Sequence, residues 1–233
     1  MIDKSNIEAL SPLLQQALVS RSAVFNMDCM EFMKIVPDKF FHLAIVDPPY
    51  GLGKKLKPRG GMIGKYNSFA DMGEHSWDAE PPTKEYFDEL FRVSKNQIIW
   101  GGNYFIDKLY PTQCFLVWDK QNGSNPMSDC ELAWTSFENK VARLYSGHIF
   151  TGIGCTNYKP IHPTQKPIKL YEWCLMQCAK EGDLILDTHL GSGSSRIAAH
   201  KLGYSFVGLE IDKKYFEAQE ERWKNFTAQT TLW

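Results

Sequence analysis

The sequence predicts an α/β fold with a doubly wound, mainly parallel β-sheet. The first observation behind this prediction is an alternation in the last third of the chain, where apolar runs at 183–187 and 205–210 alternate with helical patterns at 194–203 and 213–223. Strands that alternate with helices indicate a parallel sheet covered by helices on both faces. The second observation is a Gly-x-Gly turn at 191–193, between the first of these strands and its helix. In a doubly wound sheet this turn is where a nucleotide-like ligand approaches the backbone.

The remaining elements are predicted from similar signals. The helix at 83–93 has a threonine at its N-cap, acids in its first half and an apolar face. The helix at 166–180 has Pro167 in its first turn. A weak helix or arm is expected at 1–22, and 51–82, with many glycines and prolines, is expected to be a long functional or mobile loop. Further predictions are strands at 23–27, 41–47, 97–100, 114–118, 131–137 and 140–145, a helix-compatible segment at 29–36, a short helix at 104–110, and an irregular segment at 146–161.

The composition is typical of a globular cytoplasmic protein. The 233 residues suffice for one α/β domain, with 43% hydrophobic and 23% charged residues. The apolar runs are too short for a membrane span, and the first residues lack an apolar signal core. Six scattered cysteines without a Cys-x-x-Cys pair are expected to be reduced thiols, not a metal site. The net charge of −1 excludes a uniformly basic nucleic-acid binder but allows a local basic patch. We therefore expect one cytoplasmic domain over 1–233, with neither a metal nor a membrane partner.

The glycine turn and the acid after it predict a site for an adenosine-type ligand. Glycine tolerates positive φ and has no Cβ to block a ligand, which suits Gly191 and Gly193 to this turn. Glu210 ends the next strand, 19 residues after Gly191, where a carboxylate can accept hydrogen bonds from both ribose hydroxyls. Asp187, at the end of the preceding strand, suits a cationic ligand better than a pyrophosphate. S-adenosylmethionine, with its sulfonium and amino groups, fits this combination, whereas the glycines alone also fit a plain tight turn.

Two other nucleotide-binding motifs fit the turn less well. A phosphate-binding P-loop has Gly-Lys-Ser/Thr, but Gly193 is followed by Ser194 and Ser195. A dinucleotide-binding turn has a third glycine, whereas this chain has Arg196 there. A nicotinamide-dependent enzyme is therefore the weakest alternative.

The stretch Asp47-Pro48-Pro49-Tyr50 predicts a second functional turn, at the end of the apolar strand 41–47. The Asp47 carboxylate and the Pro48 carbonyl can both accept hydrogen bonds from one exocyclic amino group, which orients the nitrogen lone pair toward an electrophilic methyl group. Two prolines keep the turn rigid, so that little reorganises during reaction. The Tyr50 ring offers a face on which an extruded base can stack, worth about 1–3 kcal/mol. A rigid loop with a capping aspartate is the alternative.

Several motifs, in this order, resemble the amino-group DNA methyltransferases, specifically the adenine-type enzymes of the permuted β class. "DPPY" at 47–50 resembles their catalytic motif, "HPTQKP" at 162–167 the segment before their first cofactor helix, and "DTHLGSGSS" at 187–195 their cofactor loop. "NMDCMEFM" at 26–33 resembles the acid-bearing strand end that precedes the catalytic strand. The resemblance implies a circularly permuted, Rossmann-like fold of the S-adenosylmethionine-dependent methyltransferase type. It also implies methyl transfer to the amino group of a flipped-out adenine in double-stranded DNA.

The resemblance also implies roles for individual residues. The turn 47–50 would hold the target base, Asp28 would reach the adenine edge of the cofactor, and 162–166 would lie near its methionine end. The chain departs from the family at Thr188-His189, where Pro-Phe is usual. His189 is expected either to lie flat against the cofactor as a π surface or to leave a weaker pocket. The residues implied for the cofactor site are Asp28, His162, Thr164, Lys166, Asp187, His189, Gly191, Ser192, Gly193 and Glu210.

A basic segment, 54–65, follows the turn 47–50, which is called the catalytic turn below because of its predicted role. This segment predicts contact with DNA phosphates. It carries five basic residues and no acid, which would make DNA binding salt-sensitive; a solvated surface loop is the alternative. The range 119–161, between the motif blocks, is the candidate for target recognition, and its shortness favours a dimer or a compact reader. A homodimer and a cognate restriction endonuclease are further candidate partners. The predicted phosphate contacts are Lys54, Lys55, Lys57, Arg59 and Lys65.

Two other classes of function stay open. RNA and protein amide methyltransferases share the fold but more often have Asn at the first motif position, and a serine there would favour the amino group of cytosine. A catalytically inactive DNA-binding relative would also keep the fold. The intact residues Asp47, Tyr50, Gly191, Gly193 and Glu210 argue against loss of activity.

Overall fold

The structure is a computed structural model that describes residues 11–52, 78, 80–121, 128–147 and 160–230. Its helices are α1 (Pro12–Val19), α2 (Cys29–Lys34), α3 (Lys84–Val93), α4 (Ile168–Cys178), α5 (Ser194–Lys201) and α6 (Lys213–Thr230), and a 3₁₀ turn spans Gly102–Tyr104. Its strands are β1 (Ser22–Asn26), β2 (Phe41–Val46), β3 (Ser94–Trp100), β4 (Phe115–Asp119), β5 (Cys130–Thr135), β6 (Arg143–Ser146), β7 (Leu184–Asp187) and β8 (Ser205–Glu210).

The eight strands form one sheet in the order β1-β8-β7-β2-β3-β5-β4-β6. The first five strands of this order are mutually parallel, β5 is antiparallel to both β3 and β4, and β6 pairs with β4 in parallel. In the middle of the sheet, Leu43 of β2 lies opposite Ile185 of β7, and Ile45 of β2 lies opposite Ile98 of β3. The predicted α/β fold with a mainly parallel sheet is therefore confirmed.

Helices cover both faces of the sheet because its central strands are apolar on both sides. On β2, Ala44 and Val46 pack into the core beneath α1, α2 and α3. Leu43 and Ile45, on the opposite face, pack into the core beneath α4 and α5. All four side chains are buried. The continuous apolar run of this strand thus reflects its burial between two layers of helices.

The direction of winding reverses between β7 and β2. From β7 the chain passes through α5 to β8, toward one edge of the sheet, whereas from β2 it passes through α3 to β3, toward the other edge. Such a reversal leaves a crevice outside the carboxyl ends of the two strands, where ligands bind in open α/β sheets. Asp47 follows β2 directly and Asp187 ends β7. The fold therefore brings the two predicted functional turns to one edge of the sheet.

The elements differ from the sequence predictions mainly at their ends. The helix predicted at 104–110 is only a short 3₁₀ turn, Gly102–Tyr104, followed by further turns, because so short a segment gains too few hydrogen bonds to offset helix nucleation. The helix predicted from 166 begins at Ile168, since Pro167 has extended backbone and occupies the N-cap. The last helix continues to Thr230, beyond its predicted end at 223.

Part of the predicted recognition range, 119–161, belongs to the central sheet. β5 lies between β3 and β4 in the interior of the sheet, and β6 forms its edge. The segments 122–127 and 148–159 lie outside the described residues. Target recognition by this range therefore stays a prediction, and β5 has in addition a structural role.

Among the residues that the structure describes, no helix is both long and apolar enough to cross a bilayer. The same part of the chain contains no group of three or more His, Cys, Asp or Glu side chains placed to hold a metal ion. The described cysteines are free thiols; they are Cys29, Cys114, Cys130, Cys174 and Cys178.

Candidate active site

The Asp47 carboxylate is held from both sides at the end of β2. Its Oδ1 accepts a hydrogen bond of 2.6 Å from the hydroxyl of Tyr50, three residues later in the same turn. Its Oδ2 accepts a hydrogen bond of 2.5 Å from Nζ of Lys166, which also lies 3.2 Å from the Tyr50 hydroxyl. Burial raises the pKa of the Asp47 carboxyl above its usual value, although the Lys166 ammonium opposes this shift. The carboxylate therefore has a fixed direction.

The backbone that follows the catalytic turn is anchored by Asp78. One oxygen of this carboxylate, Oδ1, accepts the N–H groups of Tyr50 and Gly51 at 2.6 and 3.0 Å, and Oδ2 accepts the N–H of Leu52 at 3.2 Å. Asp78 is itself only 3% exposed. Three successive donors that have no partner in a strand or helix are thereby satisfied. No local sequence pattern indicates this anchor, because Asp78 lies 28 residues from Tyr50, inside the stretch predicted to be a loop.

The ring of Tyr50 is packed on one side and close to backbone on another. Tyr104 stacks on it with ring centroids 4.9 Å apart and an angle of 19° between the planes, and Phe105 meets it at 66°. Gly101 has a φ of +70°, and a Cβ at this glycine would lie 2.2 Å from Cε1 of Tyr50. Tyr104 is 44% exposed. The predicted stacking face is thus covered by a second aromatic ring that was not singled out from the sequence.

The glycine turn between β7 and α5 has the conformation that the sequence predicts. Gly191 has a φ of +51° and Gly193 a φ of +71°, both in the region that favours glycine. Asp187 stabilises the turn, since its Oδ1 accepts the N–H of His189 at 3.0 Å and its Oδ2 accepts the hydroxyl of Ser195 at 2.5 Å. Burial raises the pKa of the Asp187 carboxyl to about 7.

Glu210 ties the end of β8 to the glycine turn. Its Oε2 accepts the N–H of Gly191 at 2.8 Å, and its Oε1 accepts the N–H of Asp212 at 2.9 Å. The side chain of Asn26, at the end of β1, donates to the Glu210 carbonyl at 2.7 Å. The three neighbouring strand ends and the turn therefore form one connected edge.

Asp28 and His162 border this edge from two other segments. Asp28 is the N-cap of α2, and its Oδ1 accepts the N–H groups of Met30 and Glu31 at 2.7 and 3.2 Å. The ring of His162 lies close to the glycine turn, since a Cβ at Gly191 would be 3.6 Å from its Cδ2 atom. Thr164 reaches the same ring, with its Oγ1 3.2 Å from Nδ1 of His162.

The departure Thr188-His189 is accommodated by Tyr86 of α3. The Tyr86 hydroxyl lies 2.6 Å from Oγ1 of Thr188, which in turn lies 2.9 Å from Nδ1 of His189. The ring of His189 meets the Tyr86 ring edge-on, with centroids 5.3 Å apart at 75°. Burial lowers the pKa of His189 to about 4, so the ring is neutral at neutral pH. The buried Thr188 and the half-buried His189, which replace Pro-Phe, are therefore both hydrogen-bonded.

A second carboxylate, Glu131 of β5, lies behind Lys166. Glu131 Oε1 is 2.5 Å from Nζ of Lys120, and its Oε2 is 3.1 Å from Nζ of Lys166. Burial opposes ionisation of Glu131, but Lys166 and Lys120 outweigh it and hold the pKa of this carboxyl below its usual value. Burial likewise disfavours the Lys166 ammonium, but Asp47 and Glu131 outweigh it and raise the pKa of this lysine. Glu131 and Lys166 are therefore both charged at neutral pH.

The predicted site residues thus fall into two connected groups and one group outside the described residues. The catalytic turn adjoins the residues of the glycine turn and its border. Lys166, implied to lie near the methionine end of the cofactor, contacts Asp47 and Glu131, and its place near the cofactor stays a prediction. The strongest sequence signal for Glu131 was a lone acid in an otherwise apolar strand. The predicted phosphate contacts Lys54, Lys55, Lys57, Arg59 and Lys65 lie outside the described residues.

Comparison with known proteins identifies the family. The model of the N6/N4 family, described as DNA methylase, matches residues 106–221, which include the glycine turn and Glu210. The chain belongs to the DNA methylase family. The turn at 47–50, which the sequence predicts to be catalytic, precedes the matched range.

Individual relatives cover more of the methylase. It is 25% identical over 250 aligned positions to the type II methyltransferase M.HpaI of Haemophilus parainfluenzae, an alignment that covers 90% of this chain and 74% of the relative. The solved complex of M1.HpyAVI with SAM is 18% identical, with a TM-score of 0.55, and covers 86% of this chain and 98% of the other. PvuII DNA methyltransferase, described as cytosine-N4-specific, is 14% identical, with a TM-score of 0.58 and 86% of both chains covered. The two structures confirm the methyltransferase type of fold.

Proposed function

We propose that this DNA methylase is a site-specific enzyme that transfers a methyl group from S-adenosylmethionine to the exocyclic amino group of adenine in a flipped-out base. The observation that carries the proposal is the position of the Asp47 carboxylate. It projects from the end of β2, at the reversal of winding, next to the glycine turn that follows β7. An amino group held by Asp47 would therefore lie beside a ligand held by the glycine turn.

The residues around the glycine turn fit a cationic adenosine cofactor. Asp187 and Glu210 place two carboxylates at neighbouring strand ends, and Asp28 adds a third at the start of α2. Gly191 is not tightly enclosed, since the nearest atoms that a Cβ there would meet belong to the His162 ring, at the van der Waals distance of 3.6 Å. Bound S-adenosylmethionine would supply an electrophilic methyl group on its sulfonium. Glu210 has acceptor capacity left for ribose hydroxyls, because a carboxylate has about four acceptor positions and its backbone hydrogen bonds, from Gly191, Asp212 and Ile211, leave one of them open.

The catalytic turn would activate the target amino group by orienting it. The Asp47 carboxylate and the Pro48 carbonyl accept its two N–H groups, so the nitrogen lone pair points at the methyl carbon. The nitrogen would form a bond to this carbon while the bond between carbon and sulfur breaks, which would leave a neutral thioether, and the nitrogen would then lose its surplus proton to water. No strong base is needed, because the nitrogen becomes acidic only as it gains the methyl group. The rigid anchors of Asp47 keep this geometry ready before the base arrives.

The base itself would be held by aromatic stacking. Tyr50 and Tyr104 already stack on each other, and the Tyr104 ring is partly exposed. A base that enters the site could take the place of Tyr104 on the Tyr50 ring or stack against the exposed face of Tyr104. Either arrangement would supply the stacking energy that single bases gain on aromatic side chains, about 1–3 kcal/mol.

DNA would be the macromolecular partner, with the basic segment 54–65 on its phosphates and part of 119–161 reading the target sequence. We further propose that the whole chain is one methyltransferase domain acting in the cytoplasm. A second copy of the chain and a restriction endonuclease are the other candidate partners.

The second candidate reaction is methylation of the amino group of cytosine. It is favoured by one observation, the similarity of the fold to the PvuII enzyme, described as cytosine-N4-specific. Asp at the first position of the catalytic turn favours adenine. Because both bases offer an exocyclic amino group, the geometry of Asp47 alone suits either.

The deciding experiment is methyl transfer to duplex DNA with tritiated S-adenosylmethionine, followed by nucleoside analysis. The expected product is a methylated adenine nucleoside, released from DNA and absent from RNA and protein. Label in the cytosine nucleoside would show instead that the enzyme methylates the amino group of cytosine, the second candidate reaction. Sequencing the DNA of an expressing host for modified adenines would then give the recognition site.

A further inference from the structure

A buried row of alternating charges ends at the catalytic carboxylate. Lys120 Nζ is 2.5 Å from Glu131, Glu131 is 3.1 Å from Lys166, and Lys166 is 2.5 Å from Asp47. The side chains of Lys120 and Lys166 are only 9% and 4% exposed. Charged side chains are rarely buried to this extent unless each is paired. The row joins β4, β5, the segment before α4 and the catalytic turn.

We propose that Lys166 is a positioning residue for methyl transfer, held between Glu131 and Asp47 so that the Asp47 carboxylate is ionised and fixed in direction when the target amino group arrives. This inference rests on the proposed function and assigns Lys166 to the target side of the site instead of the cofactor. Glu131 is its anchor and acts on the reaction only through Lys166.

The geometry of Asp47 supports this role. Its two oxygens are held by different donors, Oδ2 by Lys166 and Oδ1 by the Tyr50 hydroxyl. A carboxylate has about four acceptor positions, so two remain for an incoming amino group. Without Lys166 the carboxylate would keep one hydrogen bond from Tyr50 but lose its neighbouring positive charge, and it would then bind a proton more readily.

Lys166 itself has little freedom to leave this position. Its ammonium group lies 5.6 Å from the centroid of the Tyr50 ring and 5.5 Å from that of Trp100. Glu131 also holds it, and because Oε2 of Glu131 accepts no well-aligned hydrogen bond from a described residue, this contact is mainly ionic. The charge of Lys120 in turn keeps Glu131 ionised. The lysine is therefore held by charges and rings on several sides.

The charged and titratable groups that face Asp47 act in opposite directions. Lys166 favours the ionised carboxylate, and the Tyr50 hydroxyl does so by hydrogen bonding. Glu131 of β5 disfavours it, and Asp187 of β7 and Tyr171 of α4 are coupled to it electrostatically. Removal of Lys166 and removal of the Glu131 charge should therefore move the ionisation of Asp47 in opposite directions.

The first test is a titration of Asp47 by ¹³C-carboxyl NMR of the aspartate-labelled full chain without DNA, with the Asp47 signal assigned by its loss in Asp47→Asn. We expect Lys166→Met to move the midpoint of Asp47 upward by more than one pH unit. Lys166→Arg, which keeps the positive charge, should have a midpoint close to that of the wild type. Glu131→Gln should move the midpoint downward. Lys140→Met is the matched control, because Lys140 instead donates to Gln177 near the far end of α4. An unchanged midpoint in Lys166→Met, or in Glu131→Gln should the first variant fail to fold, overturns the proposal.

The second test separates positioning from cofactor binding. Lys166→Met is expected to lower kcat more than tenfold at neutral pH and to move the acid limb of the pH profile upward with the NMR midpoint. The Kd for S-adenosylmethionine, measured by calorimetry, should change less than twofold. A Kd that rises in step with the loss of kcat would make Lys166 a cofactor-binding residue instead. If the variants show the expected NMR shifts but the wild-type chain methylates no DNA, the proposed function is overturned while the coupling of Lys166 to Asp47 stays intact.

Discussion

The carboxylates around the candidate site differ in their hydrogen-bond partners, and these partners indicate different roles for them. Asp47 is bound by two side chains, whereas Glu210 is bound by backbone N–H groups of the glycine turn and of Asp212. Asp28 caps a helix. A substitution of Asp47 should therefore affect the reaction, and one of Glu210 the cofactor site.

We expect Asp47→Ala to abolish methyl transfer, by at least about a hundredfold, as when one oriented group of a preorganised site is removed. Affinity for S-adenosylmethionine should persist, because Asp47 would touch the target amino group and not the cofactor ribose. Tritiated methyl transfer and calorimetry measure the two quantities. Asp88→Ala, at an exposed carboxylate on α3, is the control.

The Asp47→Ala variant leaves the Lys166 ammonium without one of its two carboxylates, which can itself destabilise the fold. The double variant Asp47→Ala/Lys166→Met removes both charges and checks this. Full activity in either folded variant would contradict the role given to the catalytic turn.

Glu210→Ala should weaken binding of S-adenosylmethionine by about 1.5–3 kcal/mol, the range for hydrogen bonds to charged groups. Two effects combine in this decrease, the removal of the ribose hydrogen bonds and a loosened glycine turn, since Gly191 no longer has its acceptor. Glu210→Gln keeps one carbonyl oxygen, so its affinity for S-adenosylmethionine should lie between those of the wild type and Glu210→Ala. Calorimetry on the three proteins gives the order, and equal affinities would remove Glu210 from the cofactor site.

At the scale of the element, the catalytic turn depends on a segment that follows it by many residues. Asp78 accepts three successive N–H groups, those of Tyr50, Gly51 and Leu52. This carboxylate accepts backbone N–H groups of the turn, as the carbonyls of a neighbouring strand would in a sheet. Asp78 should therefore contribute to the rigidity of the turn, together with the hydrogen bonds of Asp47.

Asp78→Asn should destabilise the fold by about 1.5–3 kcal/mol, because the charged acceptor is removed and an amide NH₂ is placed among N–H donors. The value of kcat should fall as well, since Tyr50 would be held less firmly. Urea unfolding and single-turnover methyl transfer measure the two effects, with the exposed carboxylate of Asp107, changed to Asn, as control. Unchanged stability would show that the turn is held by other contacts.

At the scale of the whole molecule, burial at the edge of the sheet shifts the pKa values of two neighbouring side chains, Asp187 and His189, in opposite directions. Burial raises the pKa of Asp187 to about 7 and lowers that of His189 to about 4. Between about pH 4 and 6.5 the folded chain therefore holds a proton on Asp187 that the unfolded chain lacks. In the same window it lacks a proton on His189 that the unfolded chain holds. The two contributions to the pH dependence of stability oppose each other.

His189→Phe should expose the contribution of Asp187 alone. Stability should then fall as pH rises from about 4 to 6.5, with a slope more negative than that of the wild type by about 1.36 kcal/mol per pH unit, the value for one proton. Asp187→Asn should shift the slope by the same amount in the positive direction, because only His189 remains. Urea unfolding at several pH values measures the slopes, and parallel curves for all three proteins would refute the opposed titrations.

Binding of the whole molecule to DNA should depend on salt through the basic segment 54–65. Neutralising Lys54, Lys55 and Lys57 together is expected to weaken binding on every DNA sequence. It should also reduce the slope of log affinity against log salt by about 0.9 for each phosphate that the variant no longer neutralises. Fluorescence anisotropy over a range of salt concentrations gives the slope, and an unchanged slope would mean that the segment is a solvated surface loop.

The sequence by itself determined the features that depend on contiguous residues. The alternation of strands and helices, the glycine turn with its positive φ angles, and the acids at the ends of β7 and β8 are all local. Each follows from hydrophobic periodicity or from the steric freedom of one residue type, and these act over a few positions. The family resemblance rests on the same contiguous motifs, and the comparison with the DNA methylase model bears out the DNA methyltransferase family.

The tertiary structure alone decided which groups surround the catalytic carboxylate. Lys166 meets Asp47 across 119 residues of chain, and Asp78 meets Tyr50 across 28. Glu131 reaches Lys166 because β5 inserts between β3 and β4, an order that no local pattern specifies. Contacts of this kind depend on strand order and on the burial of charges, which are properties of the assembled sheet and not of any short stretch of sequence.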